Sequence, residues 1–283
     1  MKTKWKILIT LALFLLFFFI VLAGVLFFLN IRNLEIPIGQ NIAIIPIKGE
    51  ITNDACSCNI FGCEQCANTK KIKELLDAAD NDITVRAIVL DINSGGGGVI
   101  ASTEMMNVIK KTKKPVVARI SDIGASGAYL VASAADKIIA DKNSITGSIG
   151  TVMYIPHYYG LMEKLGINMT VIKSSKSKDI GSPYRPMTNS EKEELESLVN
   201  KVFENFIFEI AENRNLSFEY VKSIADGSIY LGEEAKKLGL IDEVGNMDDA
   251  IRIAQELAGI KGKANVKEIS KRKTIFDLFS IEE

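Results

Sequence analysis

Histidine is almost absent from this 283-residue chain: His157 is the only one. A histidine-rich metal centre is excluded, and a histidine-based triad has a single candidate. Charge of one sign is also lacking, since 34 basic and 35 acidic residues leave a net −1. That balance removes the electrostatic case for nucleic acid as a partner. There is no G-x-x-x-x-G-K-[ST] and no G-x-G-x-x-G in the sequence, so neither a phosphate loop nor a dinucleotide fingerprint is present. Cysteine occurs only at Cys56, Cys58, Cys63 and Cys66, all within one short stretch.

What the chain does have begins with apolar residues. Ile7 to Leu29 runs without a charge, about 35 Å as a helix and enough to cross a bilayer. Lys2, Lys4 and Lys6 precede it, whereas Arg32 is offset by Glu35. The positive-inside bias therefore predicts a single-pass anchor in the cell membrane, with a cytoplasmic N-terminus and the remainder extracytoplasmic. Length and the lack of a small-x-small site argue against a cleaved signal peptide.

Beyond a linker at 31–40, strands are expected at Asn41–Gly49, Arg86–Ile92, Pro115–Ile120, Lys137–Ala140, Thr146–Val152 and Asn168–Lys173. Pro46 suggests an edge or bulge in the first. Helices are expected at Thr69–Ala79 and after the Gly95–Gly98 turn as far as Lys111. Others follow at Asn189–Arg214, Ser217–Ala225, Gly232–Leu238 and Met247–Gly259. Alternating strands and helices with short glycine turns read as α/β, a parallel or mixed sheet covered by helices. The tail from Lys261, with Phe276, Leu278 and Phe279, reads as frayed. The cysteines, spaced C-x-C-x4-C-x2-C, suit disulfides in an oxidising compartment or, alternatively, one metal ion.

The stretch with chemical promise is Gly124-Ala-Ser126-Gly127, which puts one hydroxyl on a tight strand-to-helix turn. That is how a nucleophilic serine is presented; a plain helix cap is the alternative. Asn93-Ser-Gly95-Gly96-Gly97-Gly98 follows another strand, and its backbone N–H groups can converge on an oxygen. Ser126 needs a base. His157 sits in an aromatic-flanked turn with no acidic residue beside it, which leaves a lysine as the better partner. Such a lysine must be neutral, so burial has to lower its pKa from about 10.4 towards 7, at a cost of about 4 kcal/mol.

In order, these motifs resemble the signal peptide peptidase A (SppA) proteases, in their short single-repeat membrane form. Asp91-Ile-Asn-Ser-Gly-Gly-Gly-Gly-Val99 is similar to the family's (R/D)-I-N-S-P-G-G-x-V loop. Gly124-Ala-Ser126-Gly127-Ala-Tyr129 matches its A-S-G-G/A-Y nucleophile motif, and Ala134–Ala140 and Thr146–Gly150 follow in step. Lys173–Asp179 resembles K-S-G-x-x-K-D, and Leu231–Asp242 the C-terminal signature. The likeness runs from the N-terminal anchor to about Ala258. Two positions depart from it: Gly95 stands where the family has proline, and Ser175 where it has glycine.

The resemblance implies a ClpP/crotonase fold of repeated β-β-α units with a helical C-terminal extension. It divides the chain into an anchor at 1–30, the 31–40 linker, a protease domain at 41–260 with a cysteine-rich insertion at 54–67, and a tail at 261–283. It implies Ser126 as nucleophile, Lys178 as general base, and Gly96 or Gly97 together with Gly127 as oxyanion donors. Ser148 is implied to hold the lysine amine. The implied activity is a serine endopeptidase with a Ser-Lys dyad and no cofactor. Its substrates would be signal-peptide remnants and other apolar peptides at the lipid bilayer. The implied assembly is a dome-shaped homo-oligomer, an octamer, in which Lys178 can serve a neighbour's Ser126. Rival readings are a related protease clipping specific membrane-associated proteins, a metal-binding scaffold with an idle serine, and an acyl-CoA enzyme of the crotonase type.

Overall fold

The structure, a computed structural model, describes residues 5, 15–24, 41–56, 58–59, 62–63, 65–262 and 264–269. The chain divides into two compact units, Met1–Gly39 and Gln40–Glu283. In the first, residues 15–24 are helical (α1) and every one of them is exposed. Among the described residues no helix is long and apolar enough to cross a membrane. Most of the 7–29 stretch, all of the 31–40 linker and the apolar end of the tail lie outside the described residues.

The second unit is mixed α/β. Its largely parallel sheet begins with β1 (Asn41–Lys48), β6 (Val85–Ser94) and β7 (Val116–Ala125), each parallel to the next. Strand β7 has two successive partners. Its first half pairs with β8 (Lys137–Ala140) and its last three residues with β9 (Ile145–Gly147), both parallel. Strand β10 (Ile229–Leu231) closes one edge antiparallel to β9, and β11 (Glu243–Val244) pairs with β8.

Strand β6 reads as a continuous apolar run because both its faces are covered. Ile88, Leu90 and Ile92 face α2 (Thr69–Asn81), α3 (Val99–Lys111) and α4 (Gly127–Ser133), while Ala87 and Val89 face α9 (Met247–Leu257). Helix α2 buries Ile72, Leu75, Leu76 and Ala79, the stripe its spacing predicts. All seven residues of α4 are buried, which is why its sequence carries no charge. Burial of each large side chain in this core stabilises by about 1.5–3 kcal/mol.

Helix α6 (Asn189–Arg214) starts with a capping box between Thr188 and Glu191. Its C-terminal part buries Ile207, Ile210 and Ala211 in the core, whereas its first four turns are largely exposed. Shorter helices α7 (Phe218–Ile224) and α8 (Gly232–Lys237) lie close to the predicted spans.

Three expectations change. Asn168–Lys173 is not a strand: it is irregular and exposed along its whole length, so its β-branched residues have no sheet to pack on. The strand expected at Thr146–Val152 is β9, and the chain from Ser148 to His157 is irregular. The tail contributes an unpredicted edge strand, β12 (Asn265–Glu268), parallel to β1. Because β12 covers only Asn41–Ile44, Pro46 lies where β1 is paired with β6 alone and removes no second ladder bond.

Candidate active site

Ser126 joins β7 to α4 at φ 52°, ψ −125°. A side chain held there costs about 1–3 kcal/mol, so neighbouring bonds must fix it. The Ser126 N–H donates to Gly147 O at 2.8 Å, and its carbonyl accepts from Leu130 N–H at 3.0 Å. The hydroxyl makes no capping bond to α4, which removes the helix-cap alternative. It is half-buried and free to act. Behind it, Tyr129 is fully buried and donates its hydroxyl to Leu240 O at 2.7 Å. Burial pushes that phenol well above its ordinary pKa.

The glycine loop lies directly against this turn. Gly96 has φ +104°, and a Cβ there would meet Gly127 N at 2.7 Å and Ser126 Cβ at 3.0 Å. The Gly96 N–H donates to Ser94 Oγ at 3.1 Å. Gly97 differs. Ile51, in the short strand β2 (Glu50–Thr52), donates its N–H to Gly96 O and accepts from Gly98 N–H, both at 2.9 Å. That bridge leaves the exposed Gly97 N–H unpaired among the described residues. A Cβ on Gly127 would lie 3.4 Å from Gly97 N, so these two residues face each other beside Ser126. Gly127, first in α4, also has no intrahelical acceptor. Of the two glycines the sequence left open, only Gly97 has its N–H available.

Ser148 follows Gly147, whose carbonyl holds Ser126, and itself has φ 49°. Its N–H donates to Ser228 O at 2.7 Å. The structure thus brings Gly96, Gly97, Ser126, Gly127 and Ser148 together. It does not bring Lys178 to them. That residue lies on a 3-10 turn, Lys176–Asp179, where its side chain is exposed and makes no hydrogen bond or ion pair among the described residues. The turn itself is well anchored. Arg185 donates from Nε to Asp179 Oδ2 at 2.8 Å and from Nη1 to Glu191 Oε2 at 2.9 Å, and Lys173 pairs with Asp179. Arg185, then Lys173, holds the Asp179 carboxyl well below the carboxylate range. Arg185 with the Thr188 N–H holds Glu191 down to about 2. His157 is exposed, and its ring packs edge-on to Tyr159 with centroids 5.8 Å apart.

Cys56 and Cys66 form a disulfide with Cα atoms 5.5 Å apart, so neither offers a thiolate ligand while bridged. Cys58 lies opposite Cys63 in the hairpin of β3 (Cys58–Asn59) and β4 (Gly62–Cys63). Among the described residues no cluster of three or more metal-ligating side chains occurs. Sequence reasoning missed Ser94, Ile51 and Arg185. The first had a signal, since a serine two residues before a tight turn accepts that residue's N–H. Ile51 and Arg185 act across chain separations or through side-chain pairing that no local pattern marks.

Comparison with known proteins identifies the family. A model of peptidase family S49 matches residues 108–261. A Methanocaldococcus jannaschii protein named as a candidate protease is 41% identical over 95% of this chain and 88% of its own. A candidate signal peptide peptidase SppA of Enterococcus faecium is 33% identical over 75% of this chain, which spans 62% of that protein. Among solved structures, a serine-to-alanine variant of the membrane-bound stomatin-specific protease 1510-N superposes with TM-score 0.54 at 14% identity. It covers 82% of this chain and 98% of its own, and shows a shared fold. With the matched family model and these relatives, the chain belongs to peptidase family S49, the proteases of the SppA family.

Proposed function

We propose that this protease is a membrane-anchored serine endopeptidase of ClpP/crotonase fold that degrades signal-peptide remnants and other apolar peptides. The observation that carries the reading is the strained Ser126 turn, between the N–H groups of Gly97 and Gly127; the hydroxyl and both N–H groups are without a hydrogen-bond partner among the described residues. Ser126 Oγ attacks the peptide carbonyl, and the oxyanion is received by Gly97 and Gly127. Neutral Lys178 takes the serine proton and returns it to the leaving amine. Water activated by the same lysine then releases the acyl group. Ser148 holds the amine in line. Val99, Ile100 and Ile123 are exposed apolar residues flanking the two loops in sequence, a setting suited to apolar substrate.

A lysine serves as base only where burial disfavours its charge, and Lys178 is exposed in the single chain. The stretch leading to it, from 148 onward, exposes Val152, Tyr154, Leu165, Ile167 and Ile172. A second copy covering these residues would bury the lysine and present it to a neighbour's Ser126, as in the dome-shaped octamer the family resemblance implies. The uncharged 7–29 stretch supports the anchor. The Cys56–Cys66 disulfide supports an extracytoplasmic catalytic unit.

The test is hydrolysis of a fluorogenic apolar peptide by the full chain and by Ser126→Ala and Lys178→Ala. Each variant alone should be inactive, and a co-refolded equal mixture should recover about one quarter of wild-type activity, because sites assemble from two copies. Activity in either single variant overturns the dyad. An inactive mixture overturns the sharing of sites between copies.

A further inference from the structure

The cysteine insertion takes no part in the chemistry above, yet it lies two short strands from the oxyanion loop. Cys66 opens β5 (Cys66–Asn68), which runs parallel to β2 in the register Glu50↔Cys66, Ile51↔Ala67 and Thr52↔Asn68. Ile51 is the residue that grips Gly96 and Gly98 and turns the Gly97 N–H outward. Around β2 the packing is close. A Cβ on Gly49 would lie 1.8 Å from Gln65 O, and one on Gly97 would lie 2.1 Å from Ile51 O. Asn68 Nδ2 donates to Asp54 O at 2.9 Å, and the chain then enters Cys56.

Strand β2 is three residues long, with β5 as its only ladder partner among the described residues and the glycine loop on its other side. A two-stranded pairing of this size is marginal by itself. The Cys56–Cys66 bond closes the insertion at its base and keeps β5 in register. With the bond open, the insertion is tethered less tightly, the β2–β5 pairing rests on its short ladder and on the burial of Ile51 and Ala67 in the core, and the hold of Ile51 on the loop slackens.

We infer that the Cys56–Cys66 disulfide is a positioning element for the oxyanion loop, so that the protease turns over rapidly only while this bridge is closed. The inference rests on the reading of Gly97 and Gly127 as oxyanion donors. Reduction by a dithiol breaks the Sγ–Sγ bond and leaves two electrons and two protons on two thiols, while the dithiol becomes its own disulfide. A catalytic unit still in a reducing compartment would then carry a slack loop and low activity. Its loop would tighten after export to an oxidising one.

The experiment uses the full chain carrying Cys58→Ser and Cys63→Ser, which leaves only the 56–66 bridge. Turnover of the fluorogenic apolar peptide is measured oxidised, after dithiol treatment with thiols counted, and after reoxidation. Far-UV circular dichroism is recorded on each sample. Reduction should lower kcat tenfold or more with KM within about twofold and the spectrum unchanged, and reoxidation should restore kcat; loss of one oxyanion donor costs about 10²–10³ in kcat. Adding Cys56→Ser and Cys66→Ser should fix kcat at the low value and abolish the dithiol response. An unchanged kcat with two free thiols counted, or a kcat that falls only together with the spectrum, overturns the inference. Ser126→Ala in the same assay separates the two levels. If it cleaves normally, the reading of the site fails. If it is inactive while the reduced enzyme keeps full kcat, only the role of the disulfide fails.

Discussion

Adding one methyl group at Gly96 separates the glycine loop from the serine turn more cleanly than removing any side chain. The residue sits at φ +104°, where an L-residue is strained, and the new Cβ would lie 2.7 Å from Gly127 N, 3.0 Å from Ala125 O and 3.0 Å from Ser126 Cβ. All three contacts are with the serine turn, two of them with backbone that cannot rotate aside. The loop must therefore move, and Gly97, the next residue, moves with it. The conformational cost is about 1–3 kcal/mol, or a fall in Tm of several degrees at about 2–4 °C per kcal/mol for a domain this size. Loss of one oxyanion donor adds about 2.7–4 kcal/mol to the barrier, a 10²–10³-fold fall in kcat. Gly96→Ala should thus remain folded at 25 °C, bind peptide with little change in KM, and lose at least a hundredfold in kcat. Peptide hydrolysis together with a thermal melt reads both quantities. A folded Gly96→Ala enzyme with wild-type kcat would refute the role given to this loop.

Three further perturbations probe the scaffold. Gly95→Pro introduces the residue that the resemblance places at this position: nothing lies within 4 Å of a Cβ there and φ is not positive, so stability should rise by about 0.4–1 kcal/mol with activity retained. A destabilised variant in urea unfolding would contradict this. Tyr129→Phe strips the buried Leu240 carbonyl of its donor and should cost about 1–3 kcal/mol in the same assay at unchanged m-value. Glu191, with its pKa depressed to about 2 by Arg185 and Thr188, favours the fold above its unfolded value near 4.3 and loses that contribution as pH falls towards 2. The stability gap between wild type and Glu191→Gln should therefore be constant above about pH 5 and close on acidification; a gap that widens in acid would show the sign to be wrong.

The legible parts of this protein are those in which neighbours in sequence are neighbours in space. Helix α2 shows its stripe, α6 its span, and β6 its continuous apolar run, since each pattern lies within one element. Ser126 was legible because a strand, a small-residue turn and a helix are contiguous. The irregular course of Asn168–Lys173 was not. Its Val171 and Ile172 have strand-forming side chains, but a strand needs a partner, and both side chains are exposed here. Strand β12 was missed for the converse reason: its polar sequence pairs through backbone groups alone at the sheet edge. At the candidate site, the glycine loop could be read as a turn whose N–H groups converge, but not which N–H is left unpaired among the described residues. That choice is made by Ser94 and Ile51, which take up the bonding of Gly96 and Gly98.

The claim at the centre is that Ser126 is a nucleophile activated by Lys178. Reaction of the intact protein with a fluorophosphonate, followed by peptide mass spectrometry, tests it directly. One adduct on the peptide containing Ser126, much slower to form in Lys178→Ala and absent from Ser126→Ala, is the result predicted. An adduct on another residue, or equal labelling without Lys178, would contradict it.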